Sequence, residues 1–308
     1  MFTSRAYATE QDLQQMEDLL MEARSRTDDW RYWHVGDLAF VFFMVACHLR
    51  PQGHIRLWYS KEGRLIAYAM LGEDPSFDYQ VLPGYEWVGI EEEAIAWAET
   101  RLTELRARDA LRWGGGLVAV ARQDDVQRIA FLQQHGFQYS GGFAEVNLLR
   151  SLDDPIPEAT LPSGYQVRTV AGTGEVSDRA AIQHDVWHPW AVGNISGDDY
   201  AYLMQLPGYY RDLDVVTVAP DGVIAAYVNG WIDPVNRIGD FGPVGARAAY
   251  RRRGLTRAAL LECLRRMRAR GMDRVCVATG ASNTPALRLY ESIGFRVVNE
   301  SLNYVKLV

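Results

Sequence analysis

The 308-residue chain is poor in cysteine, with only Cys47, Cys263 and Cys276. An odd, scattered set builds neither a disulfide framework nor a zinc ribbon. It suits a reducing compartment. No apolar core follows the polar start MFTSRAYATEQDLQQ, so nothing there reads as a secretory leader. The most apolar run, Leu38 to Leu49, is about a dozen residues against the roughly 20 that a bilayer span needs, and reads as a buried core helix. Positive charge is also short: 32 Lys plus Arg stand against 39 Asp plus Glu, a net charge of -7. A general nucleic-acid binder is normally basic, so any anion site here must be a local patch. No Gly-Lys-Ser/Thr ending of a phosphate loop occurs. These absences point to a cytoplasmic protein with no membrane and no nucleic-acid partner.

The remaining composition, 48% hydrophobic and 23% charged, is that of a packed soluble protein. At about 100–200 residues per domain, two domains are expected. Pro155, Pro157 and Pro162 punctuate Ser151 to Gly164 as a linker. The expected division is 1–150, a linker at 151–163, and 164–308. The two parts repeat each other. Lys61–Ala69 (KEGRLIAYA) matches Pro220–Val228 (PDGVIAAYV), with Gly63 and Gly222 at an offset of 159. His135–Gln138 (HGFQ) matches Ile293–Arg296 (IGFR) at an offset of 158. Matches at nearly one offset indicate a duplicated domain.

In the second part, Tyr165–Val170 alternates like a strand. Helices are expected over Val176–Trp187 and Asp198–Leu206. Asp214–Ala219 and Val223–Ile232 flank an Asp-Gly turn and form a hairpin. Asn236–Val244 continues as a strand. Leu255–Arg270 carries a helical apolar stripe, and Gly271 is placed to end it. Val275–Ala278, Phe295–Val298 and Tyr304–Leu307 read as strands. Pro285–Ser292 reads as a helix capped by Asn283.

The most informative stretch runs from Gly245 to Arg257, GARAAYRRRGLTR, and carries five arginines. It links a strand to a helix. First-turn amides have no intrahelical partner, and the helix dipole is positive there. Gly254 lets the backbone turn tightly. Together these suit a pyrophosphate. A solvated basic loop capping a helix is the plainer reading. His184-Asp-Val-Trp-His188 has the i, i+4 spacing of a zinc motif, but Pro189 marks a helix end and no third ligand follows, so no metal site is expected.

Arg251-x-x-Gly254-x-Thr256 resembles the R/Q-x-x-G-x-G/A loop of the GNAT family of acyl-CoA-dependent N-acyltransferases. Asn283-x-x-Ala286-x-x-x-Tyr290-x-x-x-Gly294-Phe295 resembles that family's second cofactor motif. Thr256 departs from the family's Gly or Ala, yet its backbone donor remains. The resemblance covers Tyr165 to Val308 well and the first half only as a degenerate copy. It implies two tandem α+β domains, each a mixed, mostly antiparallel sheet flanked by helices, with the second domain catalytic.

By that resemblance the cofactor is acetyl-CoA. Amides from Arg252 through Arg253, Gly254 and Leu255 to Thr256 would hold its pyrophosphate, and arginine side chains including Arg251 would reach the adenosine phosphates. Main-chain groups of Val244 and Ala246 would meet the pantetheine arm. Asn283, if more than an N-cap, would bond there too, beside Ala286. Tyr290 is either a core tyrosine or the proton donor to the leaving sulfur. The acceptor amine, near pKa 10, must lose a proton. Asp240 is ranked first as its base, ahead of Asp233 and His188, with water-borne or substrate-borne deprotonation equally open. Trp187, His188 and Trp190 either line the acceptor pocket or pack ordinarily. The expected reaction is acetyl transfer to an amine by direct attack in a ternary complex. A non-catalytic acyl-CoA-binding regulator is the alternative. Aminoglycoside, polyamine, amino acid, peptide N-terminus and amino-sugar acceptors all fit.

The repeat offset predicts that the first half has lost the cofactor site. Arg251 and Arg252 fall on Glu91–Glu93, and Gly254 on Ile95 or Ala96. Asn283, Ala286 and Tyr290 fall on Asp125, Arg128 and Leu132. A structural first domain would then wall the acceptor pocket with the Leu38–Leu49 segment and with Trp30, Tyr32 and Trp33.

Overall fold

Two successive runs of elements share one order, strand–helix–helix–three strands–helix–strand–helix–strand. The first run is β1 (Thr3–Ala6), α1 (Glu10–Thr27), α2 (Val35–His48), β2 (Ile55–Tyr59), β3 (Leu65–Leu71), β4 (Ser76–Val81), α3 (Ile90–Arg108), β5 (Leu117–Arg122), α4 (Val126–Gln134) and β6 (Gln138–Ser151). The second is β7 (Gln166–Thr169), α5 (Val176–Trp187), α6 (Gly197–Leu203), β8 (Asp214–Val218), β9 (Ile224–Asp233), β10 (Ile238–Ala246), α7 (Leu255–Ala269), β11 (Arg274–Gly280), α8 (Thr284–Glu291) and β12 (Arg296–Lys306). The computed structural model describes residues 2–27, 30–48, 51–72, 75–109 and 115–308. Leu49 and the side chain of Cys47 lie outside that description.

All strands join one sheet in the order β1-β2-β3-β4-β5-β12-β6-β11-β10-β9-β8-β7. Neighbours are antiparallel except β4–β5 and β10–β11. The last strand of each half crosses over: β6 pairs with β11, β12 pairs with β5, and the two pair with each other. The sequence repeat revealed the duplication but not this exchange, because both crossing strands keep the pattern of an ordinary final hairpin strand. Phe295–Val298 and Tyr304–Leu307 prove to be one strand, β12. Its register against β6 shifts between Val297 and Asn299 and between Leu302 and Tyr304. Each shift breaks the two-residue alternation by which a strand is recognised.

Helices cover both faces of β3 and β9, each the third strand from an edge, so these two are buried at every residue and read as nearly continuous apolar runs. On one face α7 seats Leu260, Leu261, Leu264 and Met267 against Val228 and Val275. Burying each leucine there contributes about 1.5–3 kcal/mol. Gly271, at φ +85°, ends the helix; its N–H bonds the Arg268 carbonyl, and Met272 bonds back to Met267. On the other face α1 and α2 of the first half pack with α6 and Trp231 of the second. The expected core helix is α2, with Leu38, Ala39 and Phe42 buried. No described helix is long and apolar enough to cross a membrane. Cys263 and Cys276 are buried free thiols.

Candidate active site

The arginine-rich loop connects β10 to α7. Gly254 occupies the left-handed region at φ +77° and offers no side-chain cap, which leaves the first-turn amides of α7 available. Arg252 is also left-handed, at φ +62°, a strained setting for a residue with a side chain. The arginines divide their work. Arg251 Nε donates to the Ala246 carbonyl at 3.2 Å, and Arg253 reaches the Tyr165 hydroxyl at 3.0 Å and the Ala249 carbonyl at 3.2 Å. Arg247 pairs with Asp185 and donates to the Ile224 carbonyl. Among the described residues, Arg252 and Arg257 carry no hydrogen bond or ion pair, and Arg252 is exposed.

The strand entering this loop parts from its neighbour. β10 and β11 pair only from Ile238–Arg274 to Asp240–Cys276. Beyond that, β10 bulges between Phe241 and Val244, and the edges of Val244 and Ala246 toward β11 are unpaired in the sheet. α8 stands near this opening. Asn283 caps it, its Oδ1 accepting from Ala286 N–H at 3.4 Å while its Nδ2 donates to Thr279 Oγ1 at 3.2 Å. Tyr290 is buried against Phe295, with ring centroids 5.9 Å apart. Its hydroxyl makes no hydrogen bond among the described residues. Burial holds the phenol well above its ordinary value, and the charges of Asp240 and the Tyr227 phenol add to the effect.

On the α2 side of the sheet a cavity of about 340 Å³ lies between the halves. The second half contributes Asp240, Cys276, Val277 and Ala278; the first contributes Trp30, Tyr32, Trp33, His34 and Asp37 among others. Burial, then the charge of Asp37, pushes the Asp240 carboxyl well above the usual carboxylate range. The Cys276 thiol lies 3.4 Å from its Oδ1. Glu145, also on the wall, is pushed up to about 7 by burial and by Asp37. Asp233 lies elsewhere, its carboxylate accepting the amides of Val235 and Asn236 in a turn. His188 is exposed at the end of α5.

The aromatic trio does not line this cavity. Trp187 donates its Nε1–H to the Tyr227 hydroxyl at 2.7 Å, while His188 and Trp190 are exposed. α5 ends at Trp187, and the chain turns back so that Gly193 packs on Trp187 and Val192 is buried, while Val186 packs on Gly245 at the outer end of the parted strands. What the sequence reading missed lies beneath them. Arg179 is fully buried, ion-paired to Asp214 at 3.2 Å, bonded to Asn229 and Gln183, and sandwiched between the Tyr200 and Tyr227 rings. A lone arginine inside a helix gives no sequence signal of such burial.

The first half shows how the same opening is closed. β4 and β5 also part, after Phe77–Ala119. Arg128, at the position of Ala286, bridges the gap. Its Nε donates to the Val120 carbonyl on β5 at 2.9 Å, its Nη1 to the Tyr79 carbonyl on β4 at 3.4 Å, and its Nη2 to the Asp78 carboxylate. Asp125 caps α4 as Asn283 caps α8. One part of the offset mapping is corrected: the counterpart of Gly254 is Gly89, the left-handed residue before α3, and not Ile95 or Ala96. The glutamates Glu91–Glu93 form the first turn of α3 itself.

A profile of the acetyltransferase (GNAT) family matches residues 180–295. A mycothiol acetyltransferase of Thermomonospora curvata is 30% identical over 165 residues, covering 50% of this chain and 53% of that protein, so the alignment spans about half the relative's length. One from Acidothermus cellulolyticus is 26% identical over 82% of this chain and 81% of its own. Among solved structures, a GCN5-related N-acetyltransferase from Sphaerobacter thermophilus superposes with a TM-score of 0.64 at 21% identity, over 99% of this chain and 95% of that one. A tandem GNAT protein from the clavulanic acid biosynthesis pathway gives 0.65 at 16%, over 99% and 98%. At these identities the structures show the fold, two GNAT units in tandem.

Proposed function

Residues 180–295 form a GNAT-family acetyltransferase domain within a tandem GNAT fold, and from that premise we propose that the chain moves the acetyl group of acetyl-CoA to a primary amine held between its two halves. The observation that carries the reading is one juxtaposition. The cavity wall at Asp240 and Cys276 is the point where β10 and β11 part, and β10 runs from there into the Gly254 loop.

The residues present fit the cofactor. The uncapped start of α7 offers amides from Arg252 to Thr256 to a pyrophosphate. Arg252 and Arg257 offer free cations. The unpaired edges of Val244 and Ala246, flanked by Asn283 and the small Ala286, would border the pantetheine arm. Acetyl-CoA supplies an activated thioester. This chain's residues do the rest. Asp240 is the group placed to take a proton from the acceptor ammonium, and its raised affinity for protons narrows the gap to an alkylamine near pKa 10. Tyr290, kept protonated by burial, can deliver a proton to a thiolate whose thiol pKa is about 8.5. Trp30, Tyr32 and Trp33 enclose the acceptor from the first half, which we read as structural and free of cofactor. Trp187, His188 and Trp190 have no part in that pocket. The relatives' names make a small amino-thiol the first acceptor to test.

Saturating acetyl-CoA, at about 100 times its dissociation constant, should stabilise the protein by roughly 2.7 kcal/mol. An amine library then identifies the acceptor by release of free CoA thiol. No thermal shift and no thiol release with any amine would overturn the proposal.

A further inference from the structure

The first half takes hold of the strand that carries Asp240. His34, at the entrance of α2, is buried, and its Nε2 lies 3.2 Å from the Ile238 carbonyl on β10. Its Nδ1 accepts from Gly36 N–H at 2.9 Å. An acceptor on one side and a donor on the other fix the proton on Nε2. Burial holds the ring neutral, with its pKa pushed down to about 3. Ile238 and Asp240 are two residues apart, so their side chains share a face.

The same turn also reaches the far side of Asp240. Gly36 lies flat on Trp231: a Cβ there would come within 2.6 Å of the Trp231 Cβ. Trp231 in turn donates its Nε1–H to the Gly242 carbonyl at 2.6 Å, inside the β10 bulge. A third tie runs from Asn236 Nδ2 to the Met21 carbonyl of α1 at 2.9 Å. Asp240 is therefore bracketed by two backbone carbonyls, Ile238 and Gly242, one held by the first half directly and one through Trp231.

We propose that His34 and Gly36 are positioning residues for the reaction centre, holding β10 and its bulge in the geometry that turnover requires. This rests on the acetyl-transfer reading. It gives the first half a role separate from cofactor binding: it sets the strand, while the second half binds acetyl-CoA. A displacement of about 1 Å at a reacting group can cost roughly 10²-fold in rate, and losing a buried hydrogen bond raises the population in which the segment it held opens locally.

The test compares the full-length chain with His34→Leu, His34→Gln and Trp231→Phe. In His34→Leu, kcat should fall roughly 10²-fold with the KM for acetyl-CoA unchanged. His34→Gln, whose amide can still donate to Ile238, should recover most of that loss. Amide hydrogen exchange over residues 238–242 should accelerate in His34→Leu and Trp231→Phe, with α7 and α8 unaffected. Unchanged exchange in that segment would overturn the proposal. So would a KM for acetyl-CoA that rises in step with the loss of kcat, or a Gln variant no better than Leu. If His34→Leu fails to fold, Trp231→Phe carries both measurements. If the wild type transfers acetyl to no amine, the functional reading falls, and the exchange data still decide whether the clamp exists.

Discussion

Gly89 and Gly254 are counterparts, each lying in the left-handed region immediately before the long helix of its half, at φ +100° and +77°. A turn of that shape is retained in both copies; what surrounds it differs. Arg251–Arg253 precede Gly254, whereas Glu86, Trp87 and Val88 precede Gly89 and Glu91–Glu93 follow it. Carboxylates in a first turn favour the helix dipole and repel a pyrophosphate. Behind them Arg128 and Asp78 fill the gap between β4 and β5. Titration calorimetry with acetyl-CoA should therefore give one site per chain, and Gly254→Glu should remove it. Two sites, or binding that survives Gly254→Glu, would contradict the assignment.

Tyr290 is buried, protonated and without a hydrogen-bond partner among the described residues. Tyr290→Phe removes one hydroxyl and leaves the packing on Phe295. Acetyl-CoA affinity should stay the same while kcat falls by roughly 10²–10⁴-fold if the phenol is the sole proton donor. Steady-state kinetics with calorimetry on the same preparation separates the two quantities. Unchanged turnover would make Tyr290 a core residue.

Much of this was legible because local chemistry is written in short patterns. Gly271 ends α7 and Asn283 caps α8 as their residue types require. The substitution of Ala286 by Arg128 announced a filled cleft. A fixed offset failed at Gly254 because β9 and β10, of 10 and 9 residues, are each longer than β3 and β4, of 7 and 6, which widens the offset before the helix; α3, with 19 residues against 15 in α7, narrows it again afterwards. The exchange of β6 and β12 was invisible, since strand partners are chosen by tertiary packing and not by the strand's own pattern. The aromatic run at Trp187–Trp190 lies away from the cavity at Asp240 for a related reason: where a chain turns after Pro189 depends on what packs beneath it.

The buried pair Arg179–Asp214 lies in that underlying layer. Its guanidinium stacks 3.7 Å from the Tyr227 ring centroid, and Asp214 also accepts from Tyr200 and Tyr209. Arg179→Met leaves a buried carboxylate without its cation, which should destabilise the fold by about 3–5 kcal/mol. Arg270, paired with Asp212 at a half-exposed site, offers the control: its replacement by alanine should cost less than about 1 kcal/mol. Urea unfolding of both variants checks the ranking. Equal effects would show that the buried pair is no more consequential than the outer one.

Glu17 in α1 gives a stability prediction with a definite sign. Its side chain is buried, and burial, followed by the neighbouring charge of Asp18, pushes its pKa from 4.5 up to about 7. Below pH 4.5 the carboxyl is protonated in both the folded and unfolded states and contributes no difference. Between pH 4.5 and 7 the unfolded chain has released the proton and the folded chain still holds it, so stability falls as pH rises. The slope approaches about 1.4 kcal/mol per pH unit, for a total of about 3 kcal/mol lost by pH 7. Above pH 7 both states are ionised and the loss is constant. Glu17→Gln has nearly the same shape and no proton to lose. Asp37, Asp240 and Glu145 titrate alike in both proteins, so the difference between the two curves isolates Glu17. Urea unfolding from pH 4 to pH 8 should show the variant equal to the wild type at the acid end. It should become progressively more stable through pH 4.5–7, with a plateau beyond. A difference that does not vary with pH would mean that Glu17 reaches water in the folded protein and titrates normally there.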